Sequence, residues 1–304
     1  MTEVLLAAGL LGLAPFPSQQ APVFAGGVEA VYLDVFVTSR GEPVTGLRAE
    51  DFEVRDEGVV QEPSLVDLET IGVTAVLAFD TSGSVTGDKL TSLRAAGHAF
   101  VEGLTDRDQA ALLTFSQKVN LELPPTRDRA ALHQALDRLA GRGATSIWDA
   151  LYLALELPWG SGRPMLVVFT DGEDNLSWLG PEDLLRAARE TDVLVDVVAS
   201  EEPKNGGVQL SAGLPRWPAS APAQPESDRR RTLRLVAETT GGAMWTANTS
   251  TLKDRFLEVL GGMRARYLLA YEPRGSARAG RHRLKVSVKG RHLDVRTRPE
   301  YTIR

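Results

Sequence analysis

The run Val73-Thr74-Ala75-Val76-Leu77-Ala78-Phe79 ends in Asp80-Thr81-Ser82-Gly83-Ser84, and a helix-like stretch begins near Gly87. An apolar strand feeding a helix through so short a turn points to a layered α/β fold. One carboxylate and two hydroxyls at alternate positions make the turn rich in oxygen. Gly83 lets it be tight enough for all three to converge. Hard divalent cations such as Mg²⁺ take oxygen ligands in near-octahedral geometry, with few protein carboxylates so that waters remain. The position suits a ligand too, because open α/β sheets bind beyond the carboxyl ends of their strands. The same residues also make an ordinary helix N-cap, in which Asp80 or Ser84 satisfies free backbone donors.

Two further segments favour the cation. Gly143-Ala144-Thr145-Ser146 sets a threonine just before a helix running to about Leu157. Pro164 to Thr170 reads as a buried strand ending in Asp171-Gly172-Glu173-Asp174-Asn175. With Asp80-x-Ser82-x-Ser84, Thr145 and Asp171-Gly172 in this order, the chain resembles the von Willebrand factor A (VWA) domain family. The resemblance implies a Rossmann-like fold and a metal-ion-dependent adhesion site. Ser82 and Ser84 would bind Mg²⁺ directly (Mn²⁺ would also fit), Thr145 directly or through water, and Asp80 and Asp171 mostly through water. One coordination position would stay open for a Glu or Asp carboxylate of a protein partner. The implied function is metal-dependent protein binding rather than catalysis.

Hydrolysis at such a metal would need a positioned base and a substrate cleft. Glu173 and Asp174 are the nearest acidic neighbours in sequence, and we expect them in a capped, solvated turn before Leu176. Asp149, one helical turn past Thr145, either braces the loop from behind the ligands or is a first-turn acid favoured by the helix dipole. The four histidines, His98, His133, His282 and His292, are expected on helix or strand surfaces away from the three loops. Neither a Gly-x-Ser-x-Gly nucleophile motif nor a Gly-rich nucleotide loop followed by Lys occurs. The rival reading is a structural or surface-interaction scaffold in which the metal site is incidental.

Strand and helix patterns alternate through the centre. Lys89–Leu104 has helical spacing, Asp108–Phe115 reads as a strand, and Val119–Leu123 alternates as an edge strand would. Ala130–Ala140 and Pro181–Glu190 read as helices, Val193–Val198 as a buried strand, and Leu233–Thr239 and Leu252–Met263 as the last helices. The expected fold is therefore a doubly wound, mostly parallel sheet with helices on both faces, spanning 71–263. Strand patterns in 25–70 and 264–304 suggest a small β-rich unit made from both flanks, resembling bacterial VWFA-related proteins.

Net charge is −6, which gives no bulk attraction to nucleic acid, and the absence of cysteine excludes disulfides and thiolate metal sites. From Arg264 onward twelve Lys/Arg face three Asp/Glu, which the alternation Arg283-Leu284-Lys285-Val286 places on the outer face of a half-buried strand. Glu201–Arg230, with five prolines and Trp217, is expected to be a long mobile loop. Val4–Leu13 is too short to span a bilayer and suits the apolar part of a secretory leader within 1–24. An exported chain with no integral membrane span in its mature form is the expectation.

Overall fold

The computed structural model describes residues 30–68, 71–160, 162–171, 174–201, 226–275 and 280–303. The expected leader, Glu173, Trp217 and most of the 201–230 segment lie outside them. Five strands come first: β1 (Val31–Ser39), β2 (Glu42–Pro43), β3 (Phe52–Asp56), β4 (Val59–Gln61) and β5 (Ser64–Val66). The centre follows with β6 (Val73–Asp80), α1 (Gly87–Glu102), β7 (Gln109–Phe115), β8 (Val119–Thr126), α2 (Arg129–Asp137) and α3 (Ile147–Leu155). It continues with β9 (Arg163–Thr170), α4 (Pro181–Glu190), β10 (Leu194–Ser200), α5 (Glu226–Thr239), β11 (Met244–Ala247) and α6 (Leu252–Arg264). The chain closes with β12 (Tyr267–Tyr271), β13 (Gly280–Val288), β14 (Asp294–Arg296) and β15 (Glu300–Ile303).

The central sheet has the order β11-β10-β9-β6-β7-β8, parallel except for the antiparallel edge strand β8. Its strands read as continuous apolar runs because both faces are covered. Ala75, Leu77 and Phe79 point to a core shared with α1, α2 and α6; Val76 and Ala78 point to the core under α3, α4 and α5. Phe256 of α6 meets Phe79 edge-on at 5.7 Å and Phe100 of α1 at 6.4 Å. Each such wholly buried ring contributes roughly 1.5–3 kcal/mol through the area it removes from water. The helix ends obey local chemistry. Asp128 accepts the Ala131 N–H at 3.0 Å, and α4 opens on Pro181 with Asp183 accepting the Gly180 N–H at 3.1 Å.

From β6 the chain builds outward to β7 and β8, then returns to the other side for β9, β10 and β11. The order reverses at β6, so the crevice of the sheet opens beyond the carboxyl end of this strand. The expected fold class is the observed one.

The flanks meet around the central unit. β1 pairs antiparallel with β12 and β14, while β3 pairs with β13. The two small antiparallel sheets, β14-β1-β12-β5 and β15-β13-β3-β4, enclose a core that includes Leu33, Val35, Phe52, Val54, Leu269 and Val288. Asp34 of β1 accepts the Arg163 Nε at 3.1 Å, and Arg189 of α4 lies 3.3 Å from Glu300 of β15, tying this unit to the central sheet.

Three expectations require correction. His282 is not on a strand surface: it is wholly buried, with Nδ1 2.8 Å from Asp56 Oδ1. Period two puts it on the inward face with Leu284 and Val286, and the carboxylate that Tyr271 and Tyr301 also hydrogen-bond makes the burial tolerable. α5 begins at Glu226, seven residues before the expected Leu233, and so takes over the end of the expected loop. There Arg230 donates to the Ser200 carbonyl at 2.6 Å. β11 was not expected at all.

Candidate metal centre

Asp80 closes the central strand and has no exposed surface. Its Oδ1 accepts the Ser82 N–H at 2.9 Å, and its Oδ2 accepts the Thr170 hydroxyl at 3.0 Å. The carboxylate thereby folds its own turn. Two residues on, the Ser82 and Ser84 hydroxyl oxygens stand 2.9 Å apart, Ser82 buried and Ser84 exposed. Thr81 does not join them: its N–H and hydroxyl both go to the Phe115 carbonyl, at 2.8 and 3.2 Å. Alternation along the turn thus separates two grouped hydroxyls from one spent on holding the loop to β7.

Asp171 follows β9, the strand beside β6, and is buried. Burial pushes the Asp80 carboxyl up to about 7, and the neighbouring Asp171 charge pushes in the same direction. Two adjacent carboxylates and a pair of hydroxyls form a donor set of oxygen only. This chemistry fits a hard divalent cation, whose charge offsets both the desolvation and the repulsion.

Thr145 arrives on a third loop, locked to the first by backbone. Arg142 N–H donates to the Thr81 carbonyl and Gly83 N–H to the Gly143 carbonyl, each at 2.8 Å. The contact is close enough to exclude a side chain at Gly141, where an added Cβ would lie 1.9 Å from the Val85 carbonyl oxygen. The buried Thr145 is pinned from the other side by Asn175, whose Oδ1 accepts its N–H at 2.8 Å. Its carbonyl accepts the N–H groups of Asn175 and Leu176, both at 3.0 Å. The loops bearing Asp80–Ser84, Thr145 and Asp171 therefore lie side by side at the carboxyl edge of the sheet.

Asp149 braces this edge: it accepts the N–H groups of Trp178 and Leu179 at 3.0 and 2.9 Å. Asp174 departs from the expected solvated turn. Its Oδ1 accepts the Ile147 N–H at 2.9 Å and the Ser177 hydroxyl, so it caps α3 across the loop. Burial holds its carboxyl above the usual range. Arg229 of α5 donates to the Asp174 carbonyl at 3.2 Å, fastening the same loop from α5. Sequence reading missed Thr170, Asn175 and Ser177 as supports. Only Asn175 carried a signal, its place in the acidic run after β9. The loop they hold presents Trp178 with 96% of its surface exposed and Leu176 with 46%.

Residues 75–173 match the family model for the von Willebrand factor type A domain. The chain carries a VWA domain. A UPF0353 protein of Mycolicibacterium paratuberculosis is 26% identical over 187 residues, covering 55% of this chain and 52% of that protein. An uncharacterized protein of Synechocystis is 30% identical over 103 residues, 32% of this chain and 24% of its own length. The chain thus spans about half or less of these curated relatives. Among solved structures, a von Willebrand factor type A protein from Catenulispora acidiphila has a TM-score of 0.50 at 14% identity, covering 91% of this chain and 73% of its own. Proximal thread matrix protein 1 from the mussel byssus, described with a zinc-occupied MIDAS motif, has a TM-score of 0.50 at 17% identity, covering 68% and 49%. These likenesses establish that the VWA fold is shared.

Proposed function

We propose that this VWA domain is a metal-dependent protein-binding module. Asp80, Ser82, Ser84, Thr145 and Asp171 would hold one Mg²⁺, or Mn²⁺ in its place, and the ion would supply an open coordination position for a Glu or Asp carboxylate of a partner. The observation that carries this reading is the pair of buried carboxylates, Asp80 and Asp171, beside the two hydroxyls of Ser82 and Ser84. Hydroxyl ligands leave the cation more electrophilic than a cage of carboxylates would, so an acidic side chain completes its shell. A protein of the same fold holding zinc at a motif of this type supports the reading. The exposed Trp178 and Leu176, on a loop pinned by Asp149, would supply the apolar contact beside the carboxylate. Among the described residues, the acids that flank the site on the neighbouring loops are held in structural bonds, Asp149 to the loop and Asp174 to the start of α3, which favours capture over hydrolysis. We read residues 25–70 and 264–304 as a unit flanking this module and the chain as exported.

A Mg²⁺ and Mn²⁺ titration of chelator-stripped protein by calorimetry tests the assignment. Wild type should show one saturable site. Ser82→Ala, which deletes a hydroxyl bonded only to Ser84 among described partners, should lower affinity at least tenfold while changing stability by less than about 1 kcal/mol. Full affinity in Ser82→Ala would remove Ser82 from the ligand set.

A further inference from the structure

Two of the histidines meet each other. His98 on α1 and His133 on α2 place their Nδ1 atoms 2.6 Å apart. The ring centroids are 4.9 Å apart and the planes lie 28° from parallel. A centroid separation this much larger than the nitrogen separation puts both nitrogens on the line between the rings, edge to edge rather than face on face. On its far side each ring meets a carboxylate. His98 Nε2 lies 3.0 Å from Asp137 Oδ1, and His133 Nε2 lies 2.8 Å from Glu102 Oε1.

An ionised carboxylate only accepts, so each Nε2 carries its ring's proton. In the neutral rings two bare Nδ1 lone pairs then face each other across 2.6 Å. That approach is repulsive unless something positive lies between them. A proton meets the need by charging one imidazole; a metal ion meets it with both rings neutral. Histidines that ligate metals usually donate their other N–H to a carboxylate or carbonyl, which fixes the tautomer and strengthens the donor nitrogen. Both rings are already set in this way. Their side chains are 32% and 27% exposed, so an ion has access from solvent. Zn–N bonds of ~2.0–2.1 Å at a tetrahedral angle separate two nitrogens by roughly 3.3 Å. Side chains on separate helices reach that spacing by small rotations.

We propose that His98 and His133 hold one divalent transition-metal ion, Zn²⁺ or Cu²⁺, between their Nδ1 atoms, with Glu102 and Asp137 as positioning residues at Nε2. Among the described residues no three His, Cys, Asp or Glu side chains are placed to share a metal, so water completes the shell. The ligand type separates this site from the oxygen centre: imidazole suits zinc and copper, whereas carboxylate and water suit magnesium and manganese. α1 follows the Ser82–Ser84 turn and α2 precedes the Gly141–Ser146 loop, so an ion here pins the helices behind two of the three site loops.

The test is a Zn²⁺ titration of the untagged full chain at about pH 7.5, above the ordinary imidazole value, with excess Mg²⁺ occupying any oxygen centre. One zinc site should remain under these conditions. His98→Asn and His133→Asn should each weaken it by roughly tenfold or more, and Glu102→Gln by less. Imidazole ¹⁵N spectra should show zinc shifting Nδ1 of both rings. Circular dichroism confirms that the variants fold. Equal zinc affinity with and without the two histidines overturns the proposal. So do Nδ1 signals that keep a bridging proton in saturating zinc.

Discussion

Asp80 carries the tension between fold and function. Its carboxyl stands at about 7 in the folded chain against an ordinary 3.8, because burial and the Asp171 charge both oppose ionisation. The folded state therefore binds this proton more tightly than the unfolded chain does. The stability it contributes is fully present below about pH 4 and is lost as pH rises through about 7. At 1.36 kcal/mol per unit the loss is roughly 4 kcal/mol. Metal-free protein should accordingly unfold at lower urea concentration near pH 8 than near pH 5, and Mg²⁺ should restore the difference by binding only the folded state. Asp80→Asn should flatten this dependence and abolish the Mg²⁺ effect. An identical pH dependence in the variant would locate the linkage at another group.

At the level of elements, the proposed site rests on three loops held in contact by backbone. Gly141 is the tightest point, with the Val85 carbonyl where a side chain would begin. Gly141→Ala should cost about 1–3 kcal/mol through overpacking and should weaken metal binding by moving the Thr145 loop off the Ser82 turn. Thermal unfolding and a Mg²⁺ titration of one sample read both effects; stability lost with metal affinity intact would uncouple the loops. Much of this was legible in sequence. Pro181 marked the first turn of α4, and Asp80-x-Ser82-x-Ser84 announced a turn because alternation groups side chains. The spacing did not show which oxygens are spent elsewhere. Thr81 resembles its neighbours in sequence but bonds to Phe115, and Asp174 caps a helix that begins 27 residues earlier. β11 escaped notice because four residues after a Gly-Gly pair are too few to display a period. The start of α5 was hidden by its charges, since the spacing does not show that the Arg229 and Arg230 side chains reach the Asp174 and Ser200 carbonyls.

Across the whole molecule, the flanks pair strand for strand, β1 with β12 and β3 with β13. A chain ending at Met263 would leave β1 and β3 with open edges and the core around Leu33 and Val54 uncovered. It should be recovered as aggregate, and light scattering against the full chain checks this. Alternation predicted these strands but not the Asp56–His282 pair buried between them, because a histidine between arginines reads as surface until parity is counted from Leu284. The central claim, that one cation joins three loops at the carboxyl edge of the VWA sheet, is tested most directly by Mn²⁺ relaxation of amide NMR signals. Substoichiometric Mn²⁺ should broaden Ser82–Ser84, Thr145 and Asp171 together, with Mg²⁺ reversing the effect. Broadening centred elsewhere, or on the Ser82 turn without Thr145 and Asp171, would contradict the account.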